Sequence, residues 1–185
     1  MSNLTDFFPS GGGGGLTPKF QEFNSSGTFT PSQALIDAGG YIELFLVAGG
    51  GSENNSVEGG CGGEVLIKKM YLTSVSNITV TIGGGGNAGS SGGNSVFFGS
   101  AAGGLDFTAS GGNGTNFQSL RLGSGWGGVD SSNSMTAGSG TMGYGAGGVG
   151  GYRGGGVTTG KPNSGQGAGQ SSQAGSGYCL IKWYE

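Results

Sequence analysis

GYGAGGVGGYRGGG, Gly143 to Gly156, sets glycines, mostly in pairs, against single side chains for several turns. A chain written this way has almost no side chain to bury, so its order has to come from the backbone. Glycine loses more conformational freedom on folding than any other residue, roughly 0.5–1 kcal/mol relative to alanine. The chain carries 49 glycines among 185 residues, and the summed cost is on the order of 25–50 kcal/mol, several times the net stability of a domain. Glycine at this density therefore implies either disorder or a structure that only glycine permits. A chain with three residues per turn has no internal hydrogen bonds, so its amides point sideways and need partners. Without Cβ atoms, neighbouring chains come close enough to supply them. In GGV-GGY, Val149 and Tyr152 then fall on one ridge while the glycines face neighbours. The segment predicts a packed bundle of polyglycine II helices, with disorder as the alternative.

Working outward, positions 123–177 hold 21 glycines in 55 residues with no strand-like run. A structureless loop of that length is unusual inside a compact domain. The preceding region has a different texture. Tyr41-Ile42-Glu43-Leu44-Phe45-Leu46-Val47 reads as a strand with Ile42, Leu44 and Leu46 on one face. Asn77-Ile78-Thr79-Val80-Thr81-Ile82 alternates almost perfectly. Each runs directly into glycines, 49–51 and 83–86. Glu64–Leu72, Ser95–Phe98 and Leu105–Thr108 are further strand candidates, as are the short aromatic runs at 20–23 and 27–30. Pro31 to Asp37 reads as a short helix or turn closed by Gly39-Gly40. The chain closes on Tyr178-Cys179-Leu180-Ile181-Lys182-Trp183-Tyr184, whose obvious partner is the strand at Tyr41. Such pairing fastens both ends of the glycine-rich stretch to one sheet and lowers the entropy cost of folding it back.

The expected organisation is an attachment arm at 1–19 and a glycine-rich β domain at 20–185. That domain divides into a strand-rich part at 20–110, a glycine-rich part at 111–177 and the closing strand at 178–185. The expected fold is all-β: an antiparallel, sandwich-like sheet with polyglycine II-type segments packed on it. In the arm, Phe7 and Phe8 form an apolar anchor followed by Pro9 and the flexible run Gly11 to Gly15.

Composition excludes several functions. Charged residues make up 9% and net charge is −3, unlike the high charge of most disordered chains. Seven basic residues spread along an acidic chain do not form a nucleic-acid surface. With no histidine, the usual general base and commonest metal ligand is absent. Cys61 and Cys179 stand too far apart in sequence for a zinc spacing; both read as small buried free thiols. An enzyme, a metal site and a cofactor are therefore not expected. Gly155 to Lys161 fits the phosphate-loop spacing, but Pro162 stands where the magnesium-binding Ser or Thr belongs. The start MSNLTDFF lacks the features of a secretory signal, and no apolar run approaches ~18 residues, so synthesis in the cytoplasm without a membrane span is expected.

What remains are large side chains among the glycines. Trp126, Tyr144, Tyr152 and Arg153 are of the types that dominate binding hot spots. Their bland alternative is to cap or fill gaps in the bundle.

The order SGTFTP, LVAGGG, GGCGGEVLIKKMYL, NITVTIGGGGNAG, GNSVFFGS and a closing GYCLIKWYE resembles the glycine-rich domain of bacteriophage tail-fibre and tail-tip proteins, from about Phe20 onward. The resemblance implies a virion protein of the phage tail. In the fibre-tip adhesins among those proteins, a polyglycine II sandwich presents loops to a surface receptor. Set beside the hot-spot types above, it makes Trp126, Tyr144, Tyr152 and Arg153 the expected receptor-binding residues, and the apolar pair Phe7 and Phe8 the expected attachment to other tail proteins. The implied receptor is a host surface glycan or outer-membrane protein. A purely structural tail or baseplate component is the other reading. Homotrimers are common in tail fibres, but no heptad or other trimer signature occurs here. The glycine runs are shorter and more interrupted than in those adhesins, which points to a β-sandwich carrying few polyglycine helices.

Overall fold

The computed structural model describes residues 15–52, 60–99, 104–114, 159–169 and 172–185. Its strands are β1 (Pro18–Phe23), β2 (Gly27–Phe29), β3 (Tyr41–Val47), β4 (Val65–Tyr71), β5 (Ile78–Thr81), β6 (Ser95–Gly99), β7 (Leu105–Ala109) and β8 (Tyr178–Tyr184). They form two four-stranded antiparallel sheets, in the orders β1-β8-β3-β4 and β2-β5-β6-β7. The closing strand does pair with the strand at Tyr41, with Leu44 opposite Ile181 and Leu46 opposite Cys179. Its other neighbour is β1, where Lys19 lies opposite Trp183. The first sheet thus takes in the last two residues of the expected arm.

Period-two alternation explains the core. Ile42, Leu44, Leu46, Cys179 and Ile181 of the first sheet and Phe29, Ile78, Val80, Phe97 and Ala109 of the second are buried in one hydrophobic cluster. The two sheets therefore pack as a sandwich around these inward faces. Phe29 meets Trp183 edge to face across it, with ring centroids 5.4 Å apart. A short helix α1 (Gln33–Asp37) covers one side. Ser32 caps it by accepting the Leu35 N–H at 3.0 Å, and Leu35 is buried. Gly40, at φ +71°, turns the chain into β3 in a conformation that a side chain disfavours. On β4, Lys68 and Lys69 are both exposed although neighbours in a strand face opposite ways. Lys68 has the parity of the core residue Met70, but β4 is an edge strand, so its side chain reaches water and guards the edge.

At one end of the sandwich the strands pass into glycine segments. β3 continues into 48–52, β5 into 83–87 and β7 into 110–114; β4 is entered from 60–64, β6 from 90–94 and β8 from 172–177. A seventh segment, 164–168, has no strand of its own. Residues 48–52 are all buried, and their hydrogen bonds show why. Gly49, Gly50, Gly51 and Ser52 donate in turn to Gly93, Gly175, Cys61 and Ser90, at 3.0, 2.9, 2.8 and 3.0 Å. The carbonyls of Gly49, Gly50 and Gly51 accept from Gly112, Gly86 and Ala168, at 2.8, 2.8 and 3.0 Å. Three segments receive and three others give, so segment 48–52 has six neighbours.

The repeat of partners is three residues. Gly49 and Ser52 both donate to 90–93; Gly60 and Gly63 both donate to 165–168, and Cys61 and Glu64 both donate to 110–113. A three-residue repeat is the signature of a threefold helix whose amides radiate to different neighbours, and it differs from the two-sided bonding of a strand. The bundle is larger than the short, interrupted runs suggested. Its interruptions are mostly small, Ser52, Cys61, Ala168, Ala174 and Ser176 among them, and the spacing survives them. Cys61, expected to be buried, is half-buried, whereas Cys179 is fully buried in the core.

Candidate functional site

The described residues place two ends of the molecule far apart. At the sheet end, Thr17 and Glu185 exchange a pair of backbone hydrogen bonds at 2.7 and 3.1 Å, so these two residues lie side by side there. From that point β8 runs about 24 Å to the bundle, whose segments add about 15 Å.

The far end of the bundle is built from Ser52, Gly60, Ser90, Gly114, Ala168 and Ser172. Ser52 donates its N–H to the Ser90 carbonyl, and its hydroxyl donates to the Ser172 carbonyl. Gly60 donates to the Ala168 carbonyl at 2.8 Å, and Gly114 donates to the Ser91 hydroxyl at 3.3 Å. Of these, Ser52 and Gly60 border positions 53–59, Ser172 follows positions 170–171 and Gly114 precedes positions 115–158; Gly160, two residues beyond the last of those, donates to Gln173 at 2.8 Å, one residue inside the tip. The described residues that border these three stretches thus lie in one hydrogen-bonded layer of backbone. The layer is rigid because its polar groups are spent on one another.

Trp126, Tyr144, Tyr152 and Arg153 lie outside the described residues, as do Phe7 and Phe8 and the stretch Gly143–Gly156. The described residues nearest the segment that carries the first four, Gly114 and Gly160, are bonded within the bundle. The phosphate-loop spacing at Gly155–Lys161 reaches the described residues only at its end. There Gly160 packs into the bundle and Lys161 donates its N–H to the Gln166 side chain at 3.0 Å. Among the described residues no cluster of three or more His, Cys, Asp or Glu could hold a metal ion, and no helix is long and apolar enough to cross a membrane.

A glycine-rich domain model matches residues 24–184. The chain belongs to the glycine-rich domain family. No curated protein matches it. The family match spans seven of the eight strands and every glycine segment of the bundle; β1, at Pro18–Phe23, precedes it.

Sequence reasoning passed over a second surface. The outward face of the first sheet carries Phe20, Tyr71, Tyr184 and Ile67, 69, 67, 53 and 53% exposed respectively. Beside them lie Phe45, Leu180 and Tyr178, with Phe45 and Tyr178 in edge contact at 6.3 Å. Two shallow grooves of about 340 and 310 Å³ run over this face and share Glu43, Leu180 and Lys182. Lys69 forms an ion pair with Glu43 at 3.2 Å, and that bond holds the Glu43 carboxyl below its ordinary range. A signal was present in β3, whose outward residues include the aromatic pair Tyr41 and Phe45 on either side of Glu43.

Proposed function

We propose that the chain is a bacteriophage tail-fibre or tail-tip protein that binds a host surface receptor, a glycan or an outer-membrane protein, through aromatic and arginine side chains carried by a glycine bundle. The observation that carries this reading is the polarity of the fold. Thr17, which follows the arm that carries Phe7 and Phe8 in sequence, lies at the sheet end, and Gly114 and Gly160, which border the segment that carries Trp126, Tyr144, Tyr152 and Arg153, lie at and near the opposite tip. The resemblance of the strand-to-glycine motifs to tail-fibre domains supports the same assignment. A stiff tip suits recognition, because loops held on a rigid base lose less entropy on binding. The role is adhesion, without catalysis, and the location is the virion tail.

The test is adsorption. Purified protein is expected to bind host cells and to slow phage attachment, and Trp126→Ala with Tyr152→Ala is expected to abolish both while leaving the circular dichroism spectrum unchanged. Protein that ignores host cells but binds another tail subunit through Phe7 and Phe8 is instead a structural component of the tail.

A further inference from the structure

We propose that the outward face of the first sheet is an interface between two copies of this chain, related by a twofold axis that lies in the interface, parallel to the strands and between β8 and β3. This inference does not depend on the tail reading.

The two sheets of the sandwich have unlike outer faces. That of the second sheet presents Thr28, Thr79, Thr81, Asp106 and Thr108 to solvent, with Phe98 as its exposed aromatic. That of the first carries an aromatic or aliphatic residue on each of its four strands, among them Phe20, Leu180, Phe45 and Ile67, around the charged residues Lys182, Glu43 and Lys69. Apolar patches of this extent mark association surfaces.

The pattern of charge selects the occupant. In register, Phe20, Lys182, Glu43 and Lys69 form one row across β1, β8, β3 and β4, and Glu22, Leu180, Phe45 and Ile67 form the next. Lys69 is paired with Glu43, whereas Lys182 makes no ion pair among the described residues. Rotation about the stated axis exchanges β8 with β3 and β1 with β4. It sets Lys182 opposite Glu43 of the partner subunit and Leu180 opposite Phe45 of the partner subunit. It also sets Phe20 against Lys69 of the partner subunit, where a cation meets an aromatic face. The central pairs are therefore complementary to themselves, as an isologous interface requires, while Glu22 comes opposite Ile67 of the partner subunit at the rim. Four strands about 4.8 Å apart and about 24 Å long give about 450 Å² per copy. That is below the ~800 Å² per partner of a standard interface, so the dimer is a reversible one.

Sedimentation of the full-length chain from about 1 to 500 µM tests this. The expected result is a concentration-dependent twofold rise in mass. Lys182→Glu opposes carboxylates across the axis and Glu43→Lys opposes ammonium groups, so each variant alone is expected to dimerise at least about tenfold more weakly. An equimolar mixture of the two restores both pairs and is expected to form a mixed dimer. Both positions are on the solvent side, and an unchanged circular dichroism spectrum shows that each variant is folded. A wild-type chain that stays monomeric throughout, or single variants that dimerise as well as wild type, or a mixture that does not associate, overturns the proposal. Occupation of the face by a glycan or another protein would appear as the first of these.

Discussion

The Ser95 hydroxyl donates to the Val47 carbonyl oxygen at 2.7 Å and accepts the Gly83 N–H at 2.9 Å, fully buried. Val47 ends β3 in the first sheet, and Ser95 begins β6 in the second. This one side chain joins the two sheets where both pass into the bundle. It adds a second donor to the Val47 carbonyl, which is already paired with Tyr178 in the ladder, and it satisfies the Gly83 amide, which lies beyond the end of β5. Ser95→Ala strands that amide, and leaving a buried polar group unsatisfied costs about 1–3 kcal/mol. Chemical denaturation is expected to show a loss of about 1–3 kcal/mol; a loss under half of one would mean that the junction closes without the hydroxyl.

Gly50 and Gly84 make opposite predictions although both lie in glycine runs. A Cβ on Gly50 would meet the Gln166 carbonyl, whereas one on Gly84 meets nothing within 4 Å. Gly50→Ala forces apart the segments that surround 48–52 and is expected to cost about 3 kcal/mol. Gly84→Ala is expected to stay within about 1 kcal/mol of wild type. Thermal melts of the two variants decide this, and equal losses would mean that the segments are not in close contact.

Amide exchange reads the same bundle without mutation. The N–H groups of Gly49, Gly50, Gly51 and Ser52 are bonded and buried, so they are expected to exchange as slowly as those of Leu44 and Leu46 in β3. Exchange of 49–52 at the rate of an open loop would remove the basis of the bundle.

Glu185 gives stability an acid-side dependence. Its carboxylate accepts from the Ser32 hydroxyl and from the Trp183 indole N–H at 3.1 Å, and Lys19 lies 3.8 Å away. The Ser32 bond first, then Trp183, holds the carboxyl below the ordinary glutamate range. A depressed native pKa means that the unfolded chain binds the proton more readily. The contribution is complete above the unfolded value, about 4.3, and is lost as pH falls through the lower native value. Glu43 has the same sign through Lys69. Tm is therefore expected to be flat from about pH 7 to 5 and to fall below about pH 4. Glu185→Gln is expected to lower Tm at pH 7 and to make the acid loss shallower.

Cysteine labelling checks the closing strand. Burial pushes the Cys179 thiol up to about 12, so at pH 8 almost no thiolate is present there. A thiol reagent is expected to leave Cys179 of the native protein unlabelled, to reach half-buried Cys61 first, and to label both after denaturation. Rapid native labelling of Cys179 would contradict the pairing of β8 inside the sheet.

Much of this fold is local and therefore legible in the sequence. Period-two alternation in Ile78-Thr79-Val80-Thr81 and in Tyr178–Tyr184 announces strands, because each side chain's face follows from its own backbone. The helix at Gln33–Asp37 follows from its Ser32 cap in the same way. The rule that strands pass into glycine runs holds on the described residues. The outward face of the first sheet was less legible, since Phe20, Phe45, Leu180 and Ile67 come from four separate strands and become one patch only through register. The side chains singled out in the sequence at 126, 144, 152 and 153 carry no local pattern that fixes where they go.

The sequence by itself determined that several of its eight short strands adjoin bare backbone, and that any order in the bare parts has to come from amide-to-amide bonding. Only the tertiary structure decided that 48–52 is the segment enclosed by the others. A glycine segment has no side chain with which to distinguish one neighbour from another. Its place is therefore set from outside, by which strand carries it and where that strand lies in its sheet.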